Sequence, residues 1–483
     1  RDTFWLTDAR GQKISSPQKQ EELRAATALV KHFTHLLPQS PNPEAALLHF
    51  HEFLGELFRR PDWPAELDSL ERPEVLNALA HLLGVSEFLW DDFLRLQHAN
   101  LFPVLRDVDS LAQPRSRSEL AAELQATLAA APDGQAKRAA LNAFKDREMF
   151  RIDLRHIEAQ EPGLGRFPEE LTELAEVVVA GAYDVCEREL WAEQGRPIPP
   201  SWRLSICALG KCGGRELGYA SDIELMFVFD AVEAGGEQQS ASAALYYEEV
   251  VRRFSGTILS RRQGIFEIDL QLRPYGSAGS LAVSLESFRR YFAPGGPAWP
   301  YERQALVKLR PIAGDEGLGA QVLALRDAFV YNGQPFDVAA MRAMRERQIR
   351  HRVTPGTINA KYSPGGSADV EYLVQALQIT HGAANPSLRT PNTREAVAAL
   401  QRAGVLSAAD AHLLDEAYAF LRQIIDALRM VRGNAKDLTV PPQGSDELAF
   451  LARRLHYEGD PERLGDDLAR HLAAVQELLR RLL

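Results

Sequence analysis

Residues 204–230 read LSICALGKCGGRELGYASDIELMFVFD, and the remainder of the chain is understood most simply as their scaffold. The apolar run from Leu204 to Leu209 predicts a strand, a turn carrying Lys211, Gly213 and Gly214 follows, and the run from Ile223 to Phe229 predicts a second strand. Side chains alternate along a strand, so Asp222 and Glu224 share one face while Ile223 and Leu225 point into a core. Two adjacent carboxylates repel, and folding has no use for the pair. A divalent cation does, because hard oxygen ligands suit Mg2+ and the metal offsets the repulsion. Gly213 and Gly214 let backbone N–H groups approach a phosphate chain with no side chain in the way. The pattern is not a P-loop, since Lys211 precedes the glycine pair, nor is it a dinucleotide fingerprint. No zinc-binding His-Glu-x-x-His helix and no G-x-S-x-G elbow occurs.

Downstream, residues 266–273 (FEIDLQLR) alternate strictly. They predict a half-buried strand with Phe266, Ile268, Leu270 and Leu272 inward and a third carboxylate, Asp269, on the polar face. Between the strands lie a polar loop at 231–239 and an amphipathic helix over 241–260. A third carboxylate suits phosphoryl or nucleotidyl transfer, with Asp269 holding the metal that lowers the nucleophile's pKa. After the turn PYGSAGS (274–280) comes a helix over 285–292. Residues 301–310 (YERQALVKLR) then place Arg303, Lys308 and Arg310 in one short element, either as partners for phosphates or as a solvated basic face.

On both sides the period is helical. Residues 17–195 show apolar spacing of three and four with breaks at 61–64, 84–86, 132–134 and 162–163. His49 and His51 lie two apart on one predicted helix and face different directions, which reads as core or surface histidines. The segment 144–157 is apolar on one side and basic on the other, as a solvated helix would be. GRPIPP (195–200) marks a boundary, after which the period changes. From 318 onward the pattern is helical again, with helices over 341–352, from 369, and over 393–403, 407–431 and 461–483, and a loop KYSPGGS at 361–367. The expected fold is α+β and mostly helical: an N-terminal helical domain (1–195), a central domain that carries the strands and the carboxylates (196–320) and a C-terminal helical domain (321–483).

A net charge of −11 argues against a protein built to grip nucleic acid. The three cysteines, Cys186, Cys207 and Cys212, have neither zinc-ligand spacing nor a disulfide framework, and fit a reducing compartment. No apolar run is long enough to span a bilayer and no signal-peptide pattern is visible from Arg1, so the cytoplasm is the expected location and membranes are not expected partners. A chain that opens on Arg1 is expected to be a piece of a longer one.

GKCGGRELGYASDIELMF (210–227) resembles the G-K-x-G-G-x-E-L-x-x-x-S-D-x-D-L motif of the glutamine-synthetase adenylyltransferase family, within the polymerase-beta-like nucleotidyltransferases. FKDREMFRI, EIDLQLRP with GSAGSLAVSLESF, YERQALVKLRPIAGD, RAMRERQ, KYSPGGSADVEYLVQALQ and HGAANPSLRTPNT resemble the same family in the same order, covering 141–483. The resemblance implies transfer of AMP from ATP to a tyrosine of glutamine synthetase, or its removal by phosphorolysis, under control of the PII signalling protein and glutamine. It implies a C-terminal domain of the type associated with PII-uridylyltransferases. By position, Asp222, Glu224 and Asp269 match the family's metal-binding carboxylates, holding two Mg2+. Gly213, Gly214 and Ser221 match its phosphate-binding turn, and Arg273 and Lys308 match basic residues near the triphosphate. The family's usual chain has two such halves and this one has one. Two positions depart from the pattern: Glu224 replaces an aspartate, and Ala368 replaces an arginine beside Asp369 and Glu371. These departures motivate an alternative, a catalytically quiet module of the same fold that senses nucleotide or PII.

Overall fold

The computed structural model describes residues 11–40, 42–59, 113–158, 164–195, 201–231, 236–260, 266–432, 436–457 and 460–483, together with scattered positions between 7 and 84 and at 199. The chain clusters into two compact units, one of residues 1–113, 153–160 and 430–433, the other of 114–152, 161–429 and 434–483. Among the described residues no helix is long and apolar enough to cross a membrane.

In the first unit, α1 (Pro17–Leu36) and α2 (Pro43–Leu57) each open on a proline whose missing N–H would have had no helical partner. Ser16 and Asn42 cap them by accepting the N–H groups of Lys19 and Ala45. Phe33, Phe50 and Phe53 fill the space between them, the first two stacked with ring centroids 3.8 Å apart. His49 is a core histidine, its Nδ1 2.8 Å from the Leu83 carbonyl, and His51 faces solvent.

Among the described residues the next helices are α3 (Arg117–Ala130), α4 (Gly134–Glu158) and α5 (Phe167–Gln194). The break expected at 132–134 separates α3 from α4, while 61–62, 85–86, 162–163 and most of 195–200 lie outside the described residues. The basic side of 144–157 is not simply solvated. Lys145 is 2 % exposed and pairs with Asp146 at 3.2 Å, and Arg147 reaches Glu123 and Glu148.

The second unit holds a mixed five-stranded sheet, ordered β3-β2-β1-β5 with β4 also on β2. Its centre is β1 (Arg203–Ala208), buried on both faces, antiparallel to β2 (Ile223–Asp230) with Arg203 opposite Asp230 and Ala208 opposite Leu225. Between these strands the expected glycine turn is wound into a single helical turn, α6 (Gly210–Gly213). After α7 (Gly236–Thr257) the chain returns along the free edge of β2 twice. There β3 (Ile268–Asp269) lies parallel to its start and β4 (Ala282–Ser284) parallel to its end. The strand expected over 266–273 is therefore only two residues long. Asp269 Oδ1 accepts the Gln271 N–H at 2.8 Å, a side-chain turn that bends the backbone away from the ladder.

The short helices α8 (Leu285–Tyr291) and α9 (Glu302–Val307) precede β5 (Arg310–Gly314), which runs antiparallel to β1. Then come α10 (Glu316–Val330), α11 (Val338–Arg352), α12 (Ser367–His381), α13 (Thr393–Arg402), α14 (Ala408–Arg432), α15 (Asp446–Arg454) and α16 (Pro461–Leu482). Leu373, Leu400, Leu414, Leu421 and Val475 centre the core of these last helices. The protein is thus mostly helical α+β, as its periodicities predict. β2 has two characters: Phe227 and Phe229 pack on Phe254 and Tyr247 of α7, and the opposite face runs from Asp222 and Glu224 to Met226 and Val228, the last two in a second core with Phe288 and Leu306.

Candidate active site

The parallel register of β2 and β3 sets Glu224 beside Asp269, and Asp222 stands one pleat before Glu224 on the same face. Ile223 N–H bonds the Glu267 carbonyl at 2.8 Å and Phe266 N–H the Ser221 carbonyl at 2.9 Å, so the backbone carrying all three carboxylates is pinned. Burial, and then the charges of Asp269 and Glu267 against the pull of Arg429 and Lys361, push the Asp222 carboxyl above its ordinary value. Glu224 is raised for the same first reason, with Lys361 opposing and Asp269 and Asp222 adding to the rise. The additional methylene of Glu224 has a specific accommodation. Gly210, at φ +49°, leaves the space into which its carboxylate folds, and a Cβ there would fall 1.2 Å from Glu224 Oε2.

These donors are oxygen only, the set a hard divalent cation takes, and like charges side by side repel until a cation lies between them. Among the described residues no three His, Cys, Asp or Glu side chains are already closed into a metal-binding group. The expected ligands are therefore neighbours on one face without being a preformed cage.

The remaining residues expected at the site have internal partners. Gly213 and Gly214 use their N–H groups within the helical turn, bonding the carbonyls of Leu209 and Gly210 at 2.7 and 3.0 Å. Gly213 is needed for close approach: a Cβ would sit 1.9 Å from the backbone oxygen of Lys308 and 2.8 Å from that of Ala208. Backbone cannot swing aside as a side chain can. Gly213→Ala should therefore lower the unfolding free energy by about 1–3 kcal/mol in urea titrations, and a variant as stable as the parent would contradict this packing. Ser221 Oγ accepts the Gly218 N–H at 3.0 Å. Arg273 donates to the carbonyls of Leu270 and Gly279, clamping the loop after β3. Arg303 bonds the Val330 and Gln334 carbonyls, and Arg310 those of Gly213 and Cys212. Lys308, 4 % exposed, pairs with Glu216 and, at 3.2 Å, with Glu371.

Around that last pair lies a network that sequence reasoning did not find. Glu371 of α12 also accepts from Lys211, and Tyr418 of α14 bridges Lys211 and Glu216 at 3.2 Å to each. Thr393 N–H, at the start of α13, donates to Glu216 Oε1. Arg422 donates to the Glu216 carbonyl at 2.8 Å, Asp426 accepts the Tyr219 N–H at 3.1 Å, and Arg429 donates to the Tyr219 carbonyl at 2.7 Å. Residues 216–221 are thus gripped along their length by the C-terminal helices. Arg215 and Ala220 take left-handed backbone values there, φ 55° and 54°, a strain that only a clamped loop sustains. Burial and then the Arg422 guanidinium push Lys211 down to about 7, whereas Glu216 and Glu371 hold Lys308 above the ordinary lysine value against its burial. The arginine replaced by Ala368 is not missed locally. Asp369 is bound by Arg345 Nε and the Gly365 N–H, each at 2.6 Å.

Lys361 differs from the other cations. Its field acts on Asp222, Glu224 and Glu371, yet among the described residues its ammonium has no hydrogen bond or ion pair and lies only over the Tyr362 ring, 5.1 Å from the centroid. Its backbone is fixed by Asn359 Oδ1, which accepts the N–H groups of Lys361 and Tyr362. Local spacing carried no signal for this, since Lys308 and Lys211, which are paired, also lack an acidic residue three or four positions away.

Residues 76–325 match the family described as glutamate-ammonia ligase adenylyltransferase, and residues 339–483 match GlnD PII-uridylyltransferase. The chain is 33 % identical over 451 residues to the bifunctional glutamine synthetase adenylyltransferase/adenylyl-removing enzyme of Streptomyces avermitilis, covering 89 % of this chain and 43 % of that protein. The equivalent proteins of Streptomyces coelicolor (32 %, covering 95 % of this chain and 44 % of the relative) and Chromobacterium violaceum (31 %, covering 84 % and 44 %) are similar. The chain thus spans less than half the length of these curated relatives.

Proposed function

Since the chain belongs to the glutamate-ammonia ligase adenylyltransferase family, we propose that it carries one nucleotidyltransferase site, which transfers AMP from ATP to a tyrosine of glutamine synthetase or removes it by phosphorolysis. The observation that carries this reading is the grouping of Asp222, Glu224 and Asp269 on one face of the sheet with Lys361, unpaired among the described residues, acting on two of them. In this reading the three carboxylates would hold Mg2+, which when bound offsets phosphate charge and lowers the pKa of the attacking hydroxyl. Lys361 meets the nucleotide's phosphates. Gly213, Gly214 and Ser221 shape the turn beneath them, Lys308 holds that turn through Glu216, and Arg273 holds the loop beyond Asp269. The phenolic oxygen bonds the α-phosphorus, the bond from that phosphorus to the bridging oxygen breaks, and pyrophosphate leaves with the electron pair while the phenolic proton passes to solvent. In the removing direction a phosphate oxygen attacks the same phosphorus, the bond from that phosphorus to the phenolic oxygen breaks, and the tyrosine leaves with the electron pair and takes a proton, so that phosphate and the AMP group become ADP.

The domain limits 1–195, 196–320 and 321–483, a cytoplasmic location, and PII and glutamine as regulators belong to the same reading. The separate family matches on either side of residues 325–339 support its last boundary and a PII link.

Purified protein incubated with Mg2+ and ATP radiolabelled at the α-phosphorus should label a tyrosine of glutamine synthetase from the same organism, or release ADP from the adenylylated form with phosphate. Failure of both abandons the enzyme reading, and ATP binding without turnover or Mg2+ dependence points to the quiet sensing module. Lys361→Ala should raise the KM for ATP about tenfold, the effect of one lost charge-assisted contact, and leave the KM for the acceptor protein unchanged. An unaltered KM for ATP removes Lys361 from the site.

A further inference from the structure

A cavity of about 580 Å3 opens beside the candidate site. Met226 lines it from β2, at the next inward position after Asp222 and Glu224, and Gln271 lines it from the segment after β3, two residues beyond Asp269. The cavity is thus a continuation of the carboxylate-bearing face. Its walls are aromatic and its mouth carries exposed rings, Tyr275 and Trp299 each 62 % exposed and Tyr301 45 %. Large apolar side chains left in water and grouped at one opening are the mark of a surface that meets a partner.

The walls are built, not incidental. Glu302 Oε1 accepts both the Tyr291 hydroxyl at 3.0 Å and the Trp299 N–H at 2.9 Å, fixing one side. Trp299 lies over Tyr301 with centroids 6.1 Å apart, and Tyr275 meets Tyr291 edge-on at 4.8 Å. Tyr275 takes a left-handed backbone, φ 62°, costly for an aromatic residue, and the Arg273 clamp on the Leu270 and Gly279 carbonyls brackets it. Strain held at the rim of a cavity is what a positioned contact residue requires.

We propose that this cavity receives the aromatic side chain of the acceptor polypeptide, the tyrosine that gains or loses AMP, with Tyr275, Trp299 and Tyr301 docking the residues around it. The proposal rests on the nucleotidyltransferase reading and specifies where its protein substrate binds. The polar chemistry favours a phenol over a purine. Adenine needs both donors and acceptors matched around its edge, whereas Arg273 spends its donors on backbone carbonyls and Glu302, whose Oε1 already accepts from Tyr291 and Trp299, offers acceptor oxygen alone. Among the described residues the Gln271 side-chain amide has no hydrogen-bond partner, so one amide is left for recognition. A tyrosine ring needs only ring walls and a path for its hydroxyl toward the carboxylates, and Met226 and Gln271 set the cavity two residues from the positions that bear Glu224 and Asp269.

Two measurements on the full chain test it. Saturation-transfer NMR with N-acetyl-tyrosinamide and, separately, adenosine reports binding without any AMP transfer. Tyrosinamide saturation is expected with the parent and its loss with Trp299→Ala, while adenosine is unaffected by the substitution. Loss of adenosine binding instead, or no tyrosinamide binding to the parent, overturns the proposal. In the labelling assay, Trp299→Ala and Tyr275→Ala should each raise the KM for the acceptor protein about tenfold, the scale of an aromatic hot spot, with the KM for ATP within twofold. Equal rises for both substrates, or none, also overturn it. If the parent neither labels glutamine synthetase nor releases ADP from its adenylylated form, the nucleotidyltransferase reading fails by itself, and the NMR arm still decides what the cavity binds.

Discussion

Glu216→Ala should lower the unfolding free energy by about 3–5 kcal/mol, the cost of removing one partner from a buried ion pair. Glu216 is 4 % exposed and its carboxylate serves Lys308, the Tyr418 hydroxyl and the Thr393 N–H together. Alanine leaves an ammonium that is also 4 % exposed with one carboxylate where it had two, and a backbone donor with no acceptor. It also removes the side-chain links from this loop to Thr393 of α13 and Tyr418 of α14. Glu216→Gln keeps an acceptor oxygen for Thr393 and should cost less than half as much. Urea unfolding followed by tryptophan fluorescence measures both, and a loss below about 1 kcal/mol for the alanine variant, the net worth of one ordinary hydrogen bond, would show that the Glu216 carboxylate does not hold this network together.

Asp222→Asn should lower AMP transfer at least about 100-fold, the scale on which charge stabilisation is lost when one preorganised group is removed, and should leave stability unchanged or slightly increased. The second half separates a functional residue from a structural one. Among the described residues the Asp222 side chain has no hydrogen bond or ion pair, and it is pushed toward protonation by burial and by the Asp269 charge. The fold thus gains nothing from its ionised form, and the neutral amide relieves repulsion. Asp269 is a less clean target, because its Oδ1 also ends the strand by accepting the Gln271 N–H. Asp222→Asn with activity within threefold of the parent, measured by α-phosphorus labelling, would falsify its placement among the metal ligands; a variant that unfolds would show a structural role instead.

Much of the fold was legible in the chain. The helices over 393–402, 408–432 and 461–482 fall within a residue or two of their expected limits because each pairs a strong apolar stripe with a capping residue or proline at its start. Of the short elements the helix Leu285–Tyr291 was legible, but others were not. β4 has three residues, β5 contains Pro311, and α15 has nine residues. Such segments carry too few turns or pleats to show a period, and the strands exist because β1 and β2 offer them free edges. The strand expected over 266–273 failed for the opposite reason, since its alternation persists while the Asp269 side chain turns the backbone out of the ladder.

Residue type and spacing within 204–230 were enough to determine that carboxylates share a strand face beside a glycine turn, because the two-residue period of a strand is a local property. Which cations answer them is not local. Lys308 and Lys361 are both lysines at positions that suit a phosphate site, yet Lys308 is consumed by carboxylates 92 and 63 residues distant in the chain, and Lys361, whose field reaches Asp222 and Glu224, has no ion pair among the described residues. Whether a charged side chain is available to a ligand depends on which opposite charges the tertiary packing brings within a few ångströms, since Coulomb energy between buried groups falls with distance in space and is indifferent to separation in sequence. The same packing decided that Gly213 makes room for a crossing backbone and Gly210 for the longer Glu224.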